Sequence, residues 1–154
     1  MVLRNSMNNM VLRNQRLTEL LNTLEEALVY FDTIQIYQHI SLSFMSNVQL
    51  KAALRDSLRY RFGLCTDLFL NYLKKYLEEE GMLKIEINFP KVVIKTACKA
   101  GLLEEDDAEL AIKMIGGRNL TSHIYKDEFA EKLSFSIESY YKLMQKYAEK
   151  ILPR

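Results

Sequence analysis

A chain of 154 residues is one domain's worth of sequence, long enough to bury about two-thirds of its unfolded surface in a single core. Its 21 Lys and Arg against 20 Asp and Glu leave a net charge of +1, which excludes a protein that coats nucleic acid by bulk charge but leaves room for a local basic patch. Two cysteines, Cys65 and Cys98, supply neither a disulfide framework nor a four-cysteine zinc site. Met1 to Asn14 lack the apolar centre of a signal peptide, and no run of about 18 apolar residues predicts a membrane span. The expectation is a cytoplasmic protein with reduced thiols and no membrane association.

The pentapeptide Met1–Asn5 recurs as Met10–Asn14. One five-residue match does not define a structural repeat, and residues 1–14 are expected to form a flexible N-terminal segment ahead of a single domain over 15–152. Leu17, Leu20, Leu21, Leu24, Leu28 and Phe31 then fall three and four apart, one apolar stripe on a first helix. Its end is not marked, since Ile34 to Phe44 has mixed character. A second stripe runs through Leu50, Leu54, Leu58, Cys65, Phe69, Tyr72 or Leu73, and Tyr76. Gly63 interrupts it, and Gly81 is a natural stop after Glu78-Glu79-Glu80.

Leu83, Ile85, Ile87 and Phe89 alternate with polar residues, the period of a strand. No second strand pattern exists to pair with it, so it is expected as an extended connector on the helices or across a dimer. Pro90 suits the first turn of a third helix that ends before Gly101. A fourth begins in the acidic run Glu104–Asp107, where negative charge favours a helix start, and is expected to stop at Gly116-Gly117. The last carries Phe129, Leu133, Ile137, Tyr140, Met144, Tyr147 and Ile151. A helix from Val48 to Glu80 spans about 50 Å, whereas a compact chain of this size is about 40 Å across. The predicted fold is therefore all-α, an elongated antiparallel bundle of four to five helices that dimerises.

Helical stripes carry no chemistry. The informative stretch is Gly116 to Tyr125, polar and glycine-rich between two apolar helices, and it holds one of only two histidines. On a continuous helix Arg118 and His123 diverge by about 140°; a helix broken at Gly116-Gly117 leaves the backbone free to bring them together. Alternatively, Asn119 and His123 share a helical face at i,i+4, with Arg118 and Ser122 on the next. A histidine that exchanges protons near neutral pH and an arginine that holds phosphate oxygens suit phosphodiester chemistry. RNA supplies its own nucleophile in the 2′-hydroxyl, so neither cofactor nor metal is needed. The same residues equally suit a plain capping role, binding one another and the helix ends.

Arg118-Asn119-x-x-x-His123-x-Tyr125 resembles the R-x4-H-x-Y signature of the HEPN superfamily. It is similar in particular to the nucleotidyltransferase substrate-binding branch, the partners of minimal nucleotidyltransferases. The likeness runs from about Arg55 to Ile151. Arg61-Phe62, Thr66, Leu68 and Leu73-Lys74 resemble the family's long second helix, and Pro90, Ala97, Gly101-Leu102, Met114 to Tyr125 and Ala130 follow in the family's order. The chain departs from the pattern where the family's Glu after Arg-Phe is Gly63, its Trp-Lys pair is Leu70-Asn71, another Glu is Asp67, and a Trp on the fourth helix is missing.

The resemblance implies a helical-bundle homodimer with two R-x4-H motifs facing across a cleft, and a separate minimal nucleotidyltransferase as partner. It implies a toxin or effector subunit, a candidate metal-independent ribonuclease. His123 would be the general acid or base and Arg118 the phosphate and transition-state stabiliser, supported by Asn119 and Ser122. Tyr125 would be the adenylylation target, because a charged nucleotide two residues from His123 blocks RNA. The alternative is a non-catalytic subunit that holds a substrate or a nucleotide for the transferase. The chain is not itself that transferase, since it lacks a Gly-Ser followed by Asp-x-Asp to bind a metal-bound triphosphate.

Other residues are read more plainly. His39 has no second ligand at metal spacing, Cys65 belongs to the apolar stripe, and Glu104–Asp107 is explained by helix-start electrostatics. Arg55 and Arg59, with Arg61 and Lys74-Lys75 beyond them, are expected as a solvated face. Tyr140, Tyr141 and Tyr147 are expected in packing.

Overall fold

The computed structural model describes residues 2–36, 45–79, 89–121 and 127–153. Among them are five helices: α1 (Val2–Ile36), α2 (Asn47–Glu79), α3 (Pro90–Lys99), α4 (Glu105–Thr121) and α5 (Asp127–Lys150). The architecture is the all-α bundle predicted. At 1.5 Å per residue, α1 and α2 are each about 50 Å long, and contacts between them fix their direction. Arg61 Nη1 donates to the Thr23 carbonyl at 2.6 Å, Cys65 Sγ lies 3.4 Å from the Leu20 carbonyl, and Asn14 Nδ2 donates to the Tyr72 hydroxyl at 3.2 Å. Numbers rise along α2 as they fall along α1, so the pair is antiparallel.

Helix α5 packs against α1, α2 and α4. Tyr72 donates to the Ile151 carbonyl at 2.5 Å, and Asn14 donates to the Ala148 carbonyl at 2.9 Å. The N-terminal part of α1 is therefore fastened to the far end of α5. The segment 1–14, set apart in the sequence as flexible, is helical from Val2, and Met10 is buried in the core. The repeated pentapeptide is itself helix-compatible, and tertiary contacts at Met10 and Asn14 supply what local propensity does not.

The core follows the stripes. Leu17, Leu21, Leu24, Leu28 and Phe31 of α1 are buried, as are Leu58, Cys65, Phe69, Tyr72, Leu73 and Tyr76 of α2 and Ile137, Tyr140, Met144, Tyr147 and Ile151 of α5 and its end. Gly63 does not interrupt α2. A single glycine costs a helix only about 1 kcal/mol, and Phe62, fully buried one residue earlier, continues the apolar row.

Helix ends are set by local chemistry. Gln49 N donates to Ser46 Oγ and Ser46 N donates to Gln49 Oε1, a capping box that starts α2. Pro90 opens α3. Gly101, at φ +74°, closes it with a Schellman turn in which Leu102 N bonds the Ala97 carbonyl and Gly101 N bonds the Cys98 carbonyl. Three acidic residues occupy the first turn of α4. The predicted connector at 83–89 lies outside the described residues except for Phe89, the exposed N-cap of α3.

Candidate functional site

The predicted break at Gly116-Gly117 is corrected by the structure: α4 continues through both glycines to Thr121. Glycine permits a break but does not impose one, and packing decides here. Tyr140 of α5 lies against Gly117, where an added Cβ would stand 3.4 Å from Tyr140 Cε2. Tyr140 in turn stacks on Phe62 of α2, with ring centroids 5.7 Å apart and planes 19° from parallel. The glycine surface, the tyrosine and the phenylalanine form a three-layer floor that keeps α4 helical beneath Arg118.

Arg118 therefore projects from the last turn of a continuous helix, where its charge complements the helix dipole. Its guanidinium meets Asp67 of α2 edge-on: Nε donates to Oδ1 at 3.2 Å and Nη2 to Oδ2 at 3.0 Å. This is the bidentate fork geometry that fixes an arginine in a plane. Hydrogen bonding to Asp67 raises the pKa of Arg118, with burial opposing it, so the cation is permanent. The side chains are 34% and 54% exposed, and a pair in that setting adds only about 0–1 kcal/mol of stability. Its consequence is orientation rather than strength.

Asn119 is exposed beside Arg118. Ser122, His123 and Tyr125 lie outside the described residues, as does His39. The structure thus places Arg118 and Asn119 at the exit of α4, immediately before the remaining motif residues. Sequence reasoning passed over Asp67 as a functional partner. The signal available was its place where the resembling family carries Glu, a second acidic residue that spacing alone could not connect to Arg118.

The basic residues of α2 do not form the solvated face expected. Arg55 and Arg59 side chains are only 20% and 14% exposed, each near the carboxylate of Asp56, at 3.6 Å and 3.9 Å. Arg61 is committed to α1 through the Thr23 carbonyl and Glu26. Lys74 and Lys75 both reach Glu78, whose carboxyl is held below its ordinary pKa, first by the Lys75 hydrogen bond.

At the other end of α4 the acidic cluster is absorbed by α5. Lys146 Nζ lies 2.7 Å from Asp107 Oδ2 and 3.1 Å from Glu104 Oε2, and Lys150 Nζ is 3.1 Å from Glu104 Oε1. The Tyr147 hydroxyl donates to Asp107 at 2.6 Å and accepts from the Glu104 amide at 3.0 Å. Among the described residues no group of His, Cys, Asp and Glu is arranged to hold a metal ion. Tyr140, Tyr141 and Tyr147 are buried, in packing as predicted. Burial pushes the Cys65 thiol up to about 12, an unreactive core thiol, and Cys65 and Cys98 are both free. No helix among the described residues is long and apolar enough to cross a membrane.

The chain matches the sequence profile of the family described as nucleotidyltransferase substrate binding protein like over residues 12–152. None of the curated protein sequences compared with it is similar. Among solved structures it is similar to a protein from Thermus thermophilus, with 28% identity, 82% of this chain and 97% of that one covered, and a TM-score of 0.59. It also shares its fold with a tri-AMPylated HEPN toxin from Shewanella oneidensis, solved in complex with its MNT antitoxin. There the identity is 11%, the coverage 86% and 93%, and the TM-score 0.60. The family match over residues 12–152, on a five-helix bundle that carries Arg118 in the last turn of α4, places the chain in the nucleotidyltransferase substrate-binding protein family, on a HEPN fold.

Proposed function

We propose that this protein is the HEPN-type toxin or effector subunit of a two-component module, partnered by a separate minimal nucleotidyltransferase, and that it cleaves RNA without a metal. The observation that carries the reading is Arg118, held edge-on by Asp67 at the mouth of the R-x4-H segment. A charged fork fixed in this way stabilises the extra negative charge of a pentacoordinate phosphate. His123, five residues on, takes the proton from the RNA 2′-hydroxyl as that oxygen attacks the adjacent phosphorus. The bond to the 5′-oxygen breaks, that oxygen is protonated, and a 2′,3′-cyclic phosphate remains. Asn119 and Ser122 orient the pair. In a cytoplasmic homodimer two such sets line one cleft and double the charge offered to RNA.

Regulation follows from Tyr125. The Shewanella oneidensis toxin of the same fold carries AMP in its complex with an MNT antitoxin, and we assign the equivalent acceptor role here to Tyr125. A nucleotide two residues along the chain from His123 would add negative charge and repel phosphate. A second reading, favoured by the family's own description as substrate-binding, is that the same cleft holds a nucleotide or substrate for the transferase without cutting anything.

RNA cleavage in EDTA separates the two. The unmodified wild-type protein is expected to release fragments with cyclic phosphate ends, and His123→Ala and Arg118→Ala to lose about 10²-fold or more of that rate. A folded, unmodified wild type that leaves every RNA tried intact, while binding a nucleotide through Arg118, establishes the binding subunit instead.

A further inference from the structure

The pair between α2 and α4 does something that its small contribution to stability does not explain. Arginine presents five N–H donors in one rigid plane. Asp67 takes the Nε edge, with Nε to Oδ1 at 3.2 Å and Nη2 to Oδ2 at 3.0 Å. Fixing one edge of a planar group fixes the direction of every other donor on it. The anchoring point is itself rigid: Asp67 follows Thr66, which is fully buried on α2, and Phe62, one turn earlier, is fully buried and stacked on Tyr140. Tyr140 also lies against Gly117, the residue before Arg118. One contiguous set of contacts therefore sets the distance between the α2 carboxylate and the α4 guanidinium.

We propose that Asp67 is a positioning residue for Arg118, presetting the guanidinium plane so that a phosphodiester meets an oriented fork instead of a mobile cation. This rests on the reading of the Arg118–His123 segment as a phosphodiester-cleaving site. The carboxylate need not touch the RNA; it acts through Arg118. Because it is negative and is held against Arg118, it also opposes the ground-state binding of a phosphate by that arginine. Its removal therefore separates the two kinetic constants. Loss of orientation lowers kcat, while loss of the repelling charge leaves KM unchanged or lowers it. A merely structural residue would not produce that split.

The test compares wild type with Asp67→Asn and Asp67→Glu in metal-free cleavage, alongside thermal melting and the arginine Nε–H resonance of Arg118, identified by its loss in Arg118→Ala. Asp67→Asn is expected to lower kcat on the order of 10-fold to 100-fold with KM the same or smaller. It is expected to move the Arg118 Nε–H signal to the solvent-exchanging position at an almost unchanged melting temperature. Asp67→Glu, which keeps the carboxylate, recovers most of the rate. Wild-type kcat in Asp67→Asn, or a kcat loss that tracks a fall in melting temperature and is not recovered by Glu, overturns the assignment.

Failure of the ribonuclease reading itself looks different, because wild type then cleaves nothing. In that case the Nε–H signal and the affinity for a 2′-deoxy oligonucleotide carry the test. A protected signal lost in Asp67→Asn, together with altered affinity, supports the positioning role. Identical signal and affinity in wild type and Asp67→Asn refute it.

Discussion

The two ends of α4 carry unequal charge, three acidic residues in the first turn and one arginine in the last, and use it differently. At the N-terminal end, Glu104 and Asp107 pair with Lys146, Lys150 and Tyr147 of α5 across the bundle surface. Burial alone would raise the pKa of Asp107, but hydrogen bonds from Lys146 and Tyr147 outweigh it and hold the group low. At the C-terminal end Arg118 meets the Asp67 carboxylate of α2 through Nε and Nη2. Acidic clusters draw attention in a sequence, yet here the cluster is tied to α5, whereas the proposed functional residue is a single arginine after two glycines. What distinguishes the ends is the partner, several α5 side chains at one and a bidentate α2 carboxylate at the other.

That contrast can be strained at several points. Phe62 is fully buried and stacks on Tyr140 beneath Gly117, so it supports the open end of α4 from below. Phe62→Ala is expected to cost about 3–5 kcal/mol, read as a lowered urea midpoint, and to loosen the Arg118 end more than the Glu104 end in hydrogen exchange. Equal protection loss at both ends would show that α4 responds as one rigid unit.

A smaller effect tests the continuity of α4. Nothing lies within 4 Å of a Cβ added at Gly116, and its backbone is helical. Gly116→Ala is expected to stabilise by about 0.4–1 kcal/mol. Destabilisation instead would mean that the chain leaves the helix at the glycine pair.

The smallest effect is one of pH, at the closed end. Glu104 is held below its ordinary value of 4.5, first by the Lys146 hydrogen bond, and Asp107 below 3.8. Carboxylates with lowered folded-state pKa values contribute stability that is present in full above those ordinary values. It is lost as pH falls through the folded values, where the unfolded chain binds more protons. Lys146→Met is expected to flatten the fall of melting temperature below about pH 4.5 while leaving Arg118-dependent cleavage intact. An unchanged acid slope would mean that the cluster contributes nothing to folding.

Much of the fold was legible because periodicity reports burial directly. Most of the α1 and α2 stripes and the α5 stripe from Ile137 onward became the core, and Pro90 and Gly101 bounded α3 as their backbone chemistry requires. The Gly116-Gly117 pair misled because glycine tolerates both helix and break, and the deciding contact, Tyr140 on Gly117, comes from a residue on another helix. The spacing of its motif singles out Arg118 as a candidate. It does not single out Asp67, since the pairing of α2 with α4 is a tertiary fact that no local pattern encodes. The half-burial of Arg55 and Arg59 was hidden for the same reason, because i,i+4 spacing names a shared face without saying what covers it.

If α4 is fastened to α5 at one end and serves a phosphodiester site at the other, paired melting and cleavage of Arg118→Ala and Lys146→Met will separate the two ends. The account predicts that Arg118→Ala abolishes EDTA-resistant cleavage with a shift of melting temperature no larger than an exposed ion pair warrants. Lys146→Met should lower the melting temperature and keep the cleavage. Cleavage that survives Arg118→Ala, or fails in a folded Lys146→Met protein, contradicts it.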